Sequence, residues 1–195
     1  IGLYNFENGF SDSSGNELHG TPFGNAAITN DADRKSKVLL LDGYNDYVDL
    51  GNNTLFDWSG AFSVAFWVKV KEWQNDWDTI LKKTGAWSFE RDFNRENLAF
   101  YNWPNFTPTT VSLSADGDWH HIAATFDGSV QKLYLDGILM SSSANVGVMN
   151  VNANPVIIGC AGGTYRFFKG FLDEIRIYNR ILADGEIKAI GGSDY

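Results

Sequence analysis

The chain reads as an all-β domain, a two-sheet antiparallel β-sandwich with one short C-terminal helix. Three observations predict this. Short stretches of alternating or β-branched residues recur along the whole chain, Asp-Gly pairs and polar loops separate them, and only residues 182–190 carry a helical pattern. The clearest unit is WHHIAATFDGSVQKLYLDGILM, residues 119–140. Its three strands, joined at Asp127-Gly128 and Asp136-Gly137, form an antiparallel meander, because Asp-Gly supplies the positive backbone angles that tight hairpins need.

The other elements follow in order. Residues 1–10 open with a strand holding Leu3, Tyr4 and Phe6, which SDSSGN ends, and residues 17–37 are polar and irregular. Residues 38–41 and 47–50 read as the two strands of a hairpin across the intervening DGYND loop. Residues 61–70 keep the strictest period of two, with Phe62, Val64, Phe66, Val68 and Val70 on one face. A loop with Trp73 and Trp77 leads to strands at 79–82, 87–91 and 98–101, and residues 102–110 form a second aromatic loop. Residues 155–159 and 170–178 return as strands, the last with Phe171, Ile175 and Ile177 facing inward. The helix has Asp184 and Glu186 near its start and Gly191 after its end, the chemistry that suits the two poles of a helix.

With 195 residues, 44% of them hydrophobic, residues 1–195 are expected to form a single domain around one core. A net charge of −9, from 24 acidic against 15 basic residues, argues against generic affinity for nucleic-acid phosphates or anionic lipid. No apolar run approaches the roughly 18 residues needed to cross a bilayer, so membrane insertion is not expected. Cys160 is alone and reads as a buried thiol. The abrupt start in a strand suits an excised module or a mature product.

Aromatic residues make up 15% of the chain, 7 of them Trp, which is more than a core of this size requires. A sugar ring is held by an aromatic face against its apolar side and polar groups at its edge. Residues 73–106 supply both: Trp73, Trp77, Trp87, Tyr101, Trp103 and Phe106 alternate with polar residues that include Arg91 and Arg95. Trp87 and Tyr101 lie on strands, where a core role competes. Tyr165, Arg166 and Phe168 in GGTYRFFKG make a second loop of this kind. Convergence of Arg91, Arg95 and Arg166 would suit a sulfated or carboxylated glycan, since the guanidinium fork matches planar anions. His120 and His121 are adjacent in a strand, so their side chains point to opposite faces and cannot readily share one ion.

The blocks YNFENGFSDSSGNELHG, LLLDGYNDYVDLG, FSVAFWVKV, DWHHIAATFDGSVQKLYLDGIL and FKGFLDEIRIYNRIL, in this order, resemble the laminin G-like jelly rolls of the concanavalin A-like lectin and glucanase superfamily. The resemblance runs from Tyr4 to about Ile190 and is weakest over residues 71–110. It implies a concanavalin A-like jelly roll that binds carbohydrate, a polysaccharide or glycan, or other ligands, usually appended to a larger secreted enzyme or a cell-surface protein. It also implies a structural calcium ion (Ca2+), with Glu7, Asp12 and Asp173 as carboxylate ligands and backbone carbonyls around His19 and Gly20 completing a shell of about six to eight oxygens. A simpler reading of Asp12 is that it shapes a turn through its own side chain. The Glu-x-Asp-x-x-Glu strand motif of the superfamily's retaining glucanases is missing. The expectation is therefore a non-catalytic carbohydrate-binding module, secreted or at the cell surface. A cell-adhesion or protein-interaction domain is the alternative, and a polysaccharide lyase or glycoside hydrolase the more distant one.

Overall fold

The computed structural model describes residues 1–93, 95–104, 107–144 and 148–192; Phe106, one of the candidate rings, lies outside them. The strands are β1 (Gly2–Tyr4), β2 (Thr21–Phe23), β3 (Ala27–Asp31), β4 (Ser36–Asp42), β5 (Tyr47–Asp49), β6 (Phe62–Glu72), β7 (Thr79–Lys83) and β8 (Trp87–Arg91). They continue as β9 (Asn97–Asn102), β10 (Thr109–Ser112), β11 (His120–Phe126), β12 (Val130–Leu135), β13 (Ile138–Ala144), β14 (Val156–Ile158) and β15 (Lys169–Tyr178), followed by helix α1 (Asp184–Gly191). Two antiparallel sheets result. One has eight strands in the order β13-β12-β11-β6-β15-β4-β3, with β1 also paired to β15. The other has seven, β10-β9-β8-β7-β14-β5-β2.

The core lies between the sheets and follows from the period-2 pattern of β6. Phe62, Val64, Phe66 and Val68 are buried and meet Trp87, Phe89 and Phe100 from β8 and β9. The meander forms as expected, and Asp136 and Gly137 take φ of 50° and 77°, the double positive angles of a tight primed turn. Ile187 of helix α1 and Leu182 just before it are buried against Ala65, Ala123 and Tyr134 on the outer face of the eight-stranded sheet. The Glu186 carboxylate accepts from the Ala183 amide at 2.8 Å, which satisfies one of the free donors at the helix start.

Three expectations are corrected. Residues 38–50 are not a hairpin: β4 pairs with β3 and β15, while β5 pairs with β2 and β14 in the other sheet. The loop between them crosses from sheet to sheet, tied by the buried Asp46 carboxylate, which accepts from the amides of Asn25 at 2.5 Å and Asp42 at 2.9 Å. The polar stretch 17–37 holds β2 and β3, both at sheet edges, where one side of the strand has no partner and the apolar alternation is weak. Phe171 faces outward. A bulge between Asp173 and Arg176, with Glu174 at φ 50°, shifts the alternation so that Leu172, Ile175 and Ile177 reach the core.

Candidate functional site

The outer face of the seven-stranded sheet carries a cavity of about 180 Å³ lined by Trp77, Lys82, Glu90, Tyr101, Trp103 and Arg166. Strand alternation explains half of it. In β7 and β8, Leu81, Trp87 and Phe89 turn into the core, so Lys82 and Glu90 turn outward, diagonal neighbours across the β7–β8 pairing. Tyr101 of β9 stands opposite Ser88 on the same face.

The walls come from loops. Residues 73–78 fold around the buried Asp78 carboxylate, which accepts from the amides of Gln74 and Asn75 and from the Asn75 side chain at 2.6, 3.1 and 3.0 Å. This cage holds Trp77 with its ring 6.1 Å from that of Tyr101. Trp103 is held by its backbone, donating to the Ala86 carbonyl and accepting from the Asn150 amide, and its ring centre is also 6.1 Å from Tyr101. Arg166 takes φ 59°, and its carbonyl accepts from the Thr79 amide, which anchors the residue 159–168 loop over the start of β7.

A charged floor lies between the rings. Lys82 Nζ is 2.6 Å from Glu90 Oε1, and Arg166 Nη1 is 3.3 Å from Glu90 Oε2. Glu90 and Lys82 are only 3% and 7% exposed, which is tolerable because each charge has a partner. The Lys82 ammonium sits 5.3 Å from the centre of the Trp103 ring, and the Arg166 guanidinium 5.6 Å from Trp77 and 5.3 Å from Tyr165. Burial, with the negative charges of Asp92 and Glu90, pushes the Tyr101 phenol up to about 12, so it stays a neutral donor.

The predicted ligand residues thus divide. Trp77, Tyr101, Trp103 and Arg166 are brought together, with Tyr165 exposed beside Arg166. Trp87 is fully buried and belongs to the core, packed on Phe62 and near Trp58. Trp73 donates its indole N–H to the Leu113 carbonyl at 3.0 Å and packs on Phe168, itself a buried core residue. Arg91 braces two loops by donating to the carbonyls of Asn75 and Arg95, and Arg95 is exposed beside Asp92, so these two do not converge with Arg166. Lys82 and Glu90 were missed by sequence reasoning. The available signal was their place in the alternation of β7 and β8, out of phase with Leu81, Trp87 and Phe89.

The residues expected to hold calcium are engaged elsewhere. The Asp12 carboxylate accepts from the amides of Leu3, Ser14 and Leu18 and from the Ser14 hydroxyl. The Asp12 amide donates to His19 Nδ1, and the Gly20 amide to the Phe10 carbonyl. Glu7 Oε1 accepts from the Lys37 amide. Asp173 Oδ2 meets Arg34 Nε at 3.2 Å and the Ser36 hydroxyl at 3.1 Å. Among the described residues no three His, Cys, Asp or Glu side chains are grouped to hold an ion. As placed, with N–H and O–H groups already donating to its carboxylates, the set does not fit a calcium shell of about six to eight oxygens.

The family profile Laminin_G_3, described as the concanavalin A-like lectin/glucanases superfamily, matches residues 42–188. The chain belongs to this superfamily. No curated protein matches it. Among solved structures, domain 4 of AbnA, a GH43 extracellular arabinanase from Geobacillus stearothermophilus solved with arabinotriose, is 23% identical; 97% of each chain is covered and the TM-score is 0.77. The binding domain of Paraclostridial Mosquitocidal Protein 1 is 20% identical with a TM-score of 0.80, over 99% of this chain and 51% of that one. A botulinum neurotoxin type C structure, whose cell entry depends on two ganglioside molecules, is 17% identical with a TM-score of 0.78 and 51% of its chain covered. The laminin G-like chain therefore shares one jelly-roll fold with all three and spans about half the length of the two toxin chains.

Proposed function

We propose that this laminin G-like domain is a non-catalytic carbohydrate-binding module that seats a sugar ring against Trp77, Tyr101 and Trp103, over the Lys82–Glu90–Arg166 floor. The observation that carries the reading is the pairing of three aromatic rings with buried, hydrogen-bonding charges in one cavity. At about 180 Å³ the cavity is smaller than the roughly 300–1,000 Å³ that encloses a drug-sized ligand, so it suits one ring of a chain whose remainder lies outside. The similarity to domains solved with arabinotriose or tied to gangliosides supports the ligand class. Among the described lining residues Glu90 is the single carboxylate, and canonical glycoside hydrolysis uses a pair. The domain is read as part of a larger secreted or surface protein, as arabinanase domain 4 and the toxin binding domains are parts of larger proteins.

A glycan array followed by calorimetry tests this. Binding to at least one polysaccharide, lost in Trp77→Ala and Trp103→Ala with an unchanged melting curve, is expected. Product release from that polymer by the isolated chain would instead indicate an enzyme. A second reading, a protein-interaction domain, draws on Ile138, Leu139 and Met140, which are 65%, 45% and 52% exposed on the edge strand β13. Its sign would be self-association or partner binding abolished by Met140→Lys.

A further inference from the structure

Resting on the carbohydrate reading, we infer that the sugar unit taken by this pocket carries a carboxylate. Among the described lining residues the floor holds two cations, Lys82 and Arg166, against one carboxylate, Glu90, which leaves one net positive charge among the rings of Trp77, Tyr101 and Trp103. The rim does not cancel it. Asp92, 3.5 Å from the Tyr101 hydroxyl, has its own counter-ion in Arg95 at 3.7 Å.

Hydrogen-bond capacity points the same way. An ammonium offers three N–H donors and a guanidinium five, and each gives one of these to Glu90. Each Glu90 oxygen accepts one of these bonds and keeps about one further acceptor site, against about six N–H groups left on the two cations, so donors outnumber acceptors on the floor. Arg166 leaves about a third of its side chain exposed, 34%, and so within reach of a ligand that enters the cavity. A neutral sugar that closed the pocket would strip water from an uncompensated positive charge, which is costly. A planar carboxylate neutralises that charge and accepts charge-assisted bonds, roughly twice as strong as neutral ones. The overall charge of −9 gives an acidic glycan no help from long range, so the preference is local to this floor.

The test is an array of hexuronate- and nonulosonate-ended oligosaccharides, each beside its carboxyl-reduced counterpart, with calorimetry on the best pair. At least tenfold tighter binding of the acid is expected, with the ratio shrinking as salt rises. Arg166→Gln should lower the acid-to-neutral ratio several-fold, and Arg166→Lys, which keeps the charge, should retain most of it. Glu90→Gln should raise the ratio, an outcome that loss of packing alone does not produce; melting curves report the folding of each variant. Equal or tighter binding of the reduced partner overturns the acid preference and leaves the carbohydrate reading standing. A ratio unmoved in both charge variants also overturns it, by placing the acid elsewhere. Binding to no glycan at all overturns the carbohydrate reading and this inference with it.

Discussion

On the outer face of the eight-stranded sheet, the Arg34 guanidinium lies 4.2 Å from the centre of the Trp67 ring, 5.5 Å from that of Trp119 and 3.2 Å from Asp173. On the outer face of the seven-stranded sheet, Lys82 and Arg166 lie over Trp103 and Trp77 and meet Glu90. The ingredients match: cations, indole rings and a buried carboxylate. Closure differs. The turn after β3 is folded by Asp31, which accepts from the Arg34 amide and the Trp119 indole, and it drives Arg34 to 4% side-chain exposure. The loop carrying Arg166 anchors at its rim and leaves that side chain at 34%. An arginine that plugs its own aromatic site is structural, whereas one that stops at the rim leaves room for a ligand.

The sharpest way to break this comparison is to remove each arginine. Arg34→Ala strands the buried Asp173 and should cost about 3–5 kcal/mol in urea unfolding. Arg166→Ala leaves Glu90 paired with Lys82 and should cost less than about 1 kcal/mol. Equal costs would show that both sites are plugs.

Acidification separates the plugged side next. His121 packs edge-to-face against Trp67 with ring centres 5.3 Å apart, and burial lowers its imidazole to about 4; Asp136 opposes this and the positive charges of Arg176 and Arg34 add to it. A folded pKa below the usual 6.5 means that the folded state binds fewer protons, so stability falls as pH drops from about 6.5 to about 4, by up to about 3 kcal/mol. Asp173 has the opposite sign. Burial pushes its carboxyl up to about 6 against the pull of Arg34, so its stabilising contribution is present below the usual 3.8 and is lost as pH rises through 6. His121→Gln should therefore lose less stability than the parent between pH 7 and pH 4, measured by denaturant titration at each pH.

On the open side, Trp103→Ala should weaken glycan binding at least about tenfold, ~1.4 kcal/mol, in calorimetry. Trp73→Ala should leave affinity within about twofold but lower stability by about 2–3 kcal/mol, because its ring packs on Phe168. The smallest effect expected is that of a chelator. With Arg34 already supplying the positive charge at Asp173, EDTA should leave the melting temperature unchanged. A fall in melting temperature that calcium restores would instead establish a metal in the plugged region.

Much of the fold was legible in particular residues. Phe62 to Val70 announced a core strand, and Asp136-Gly137 a tight turn, because both are local signals: an alternation and a backbone angle. The hairpin expected across residues 42–46 failed because an Asp-Gly pair specifies a turn and not which sheet the next strand joins. The inward place expected for Phe171 failed because the bulge at Glu174 leaves no mark in the alternation of the sequence. In the site, Trp77 and Trp103 were legible as loop indoles beside polar residues. Trp73 carries the same signal, and only the position of Phe168 beneath it makes it structural.

The sequence by itself determined the strands with a clear alternation, most of the turns and the superfamily, but not the edge strands β2, β3 and β10, since the former depend on residues near one another in the chain and on the order of motifs. Only the tertiary structure decided which charges meet. Glu90 lies 8 positions from Lys82 and 76 from Arg166, and Arg34 lies 139 from Asp173. Across such separations a carboxylate's partner is set by sheet order and loop anchoring. The same forces that closed one outer face over Arg34 left the other open beside Arg166.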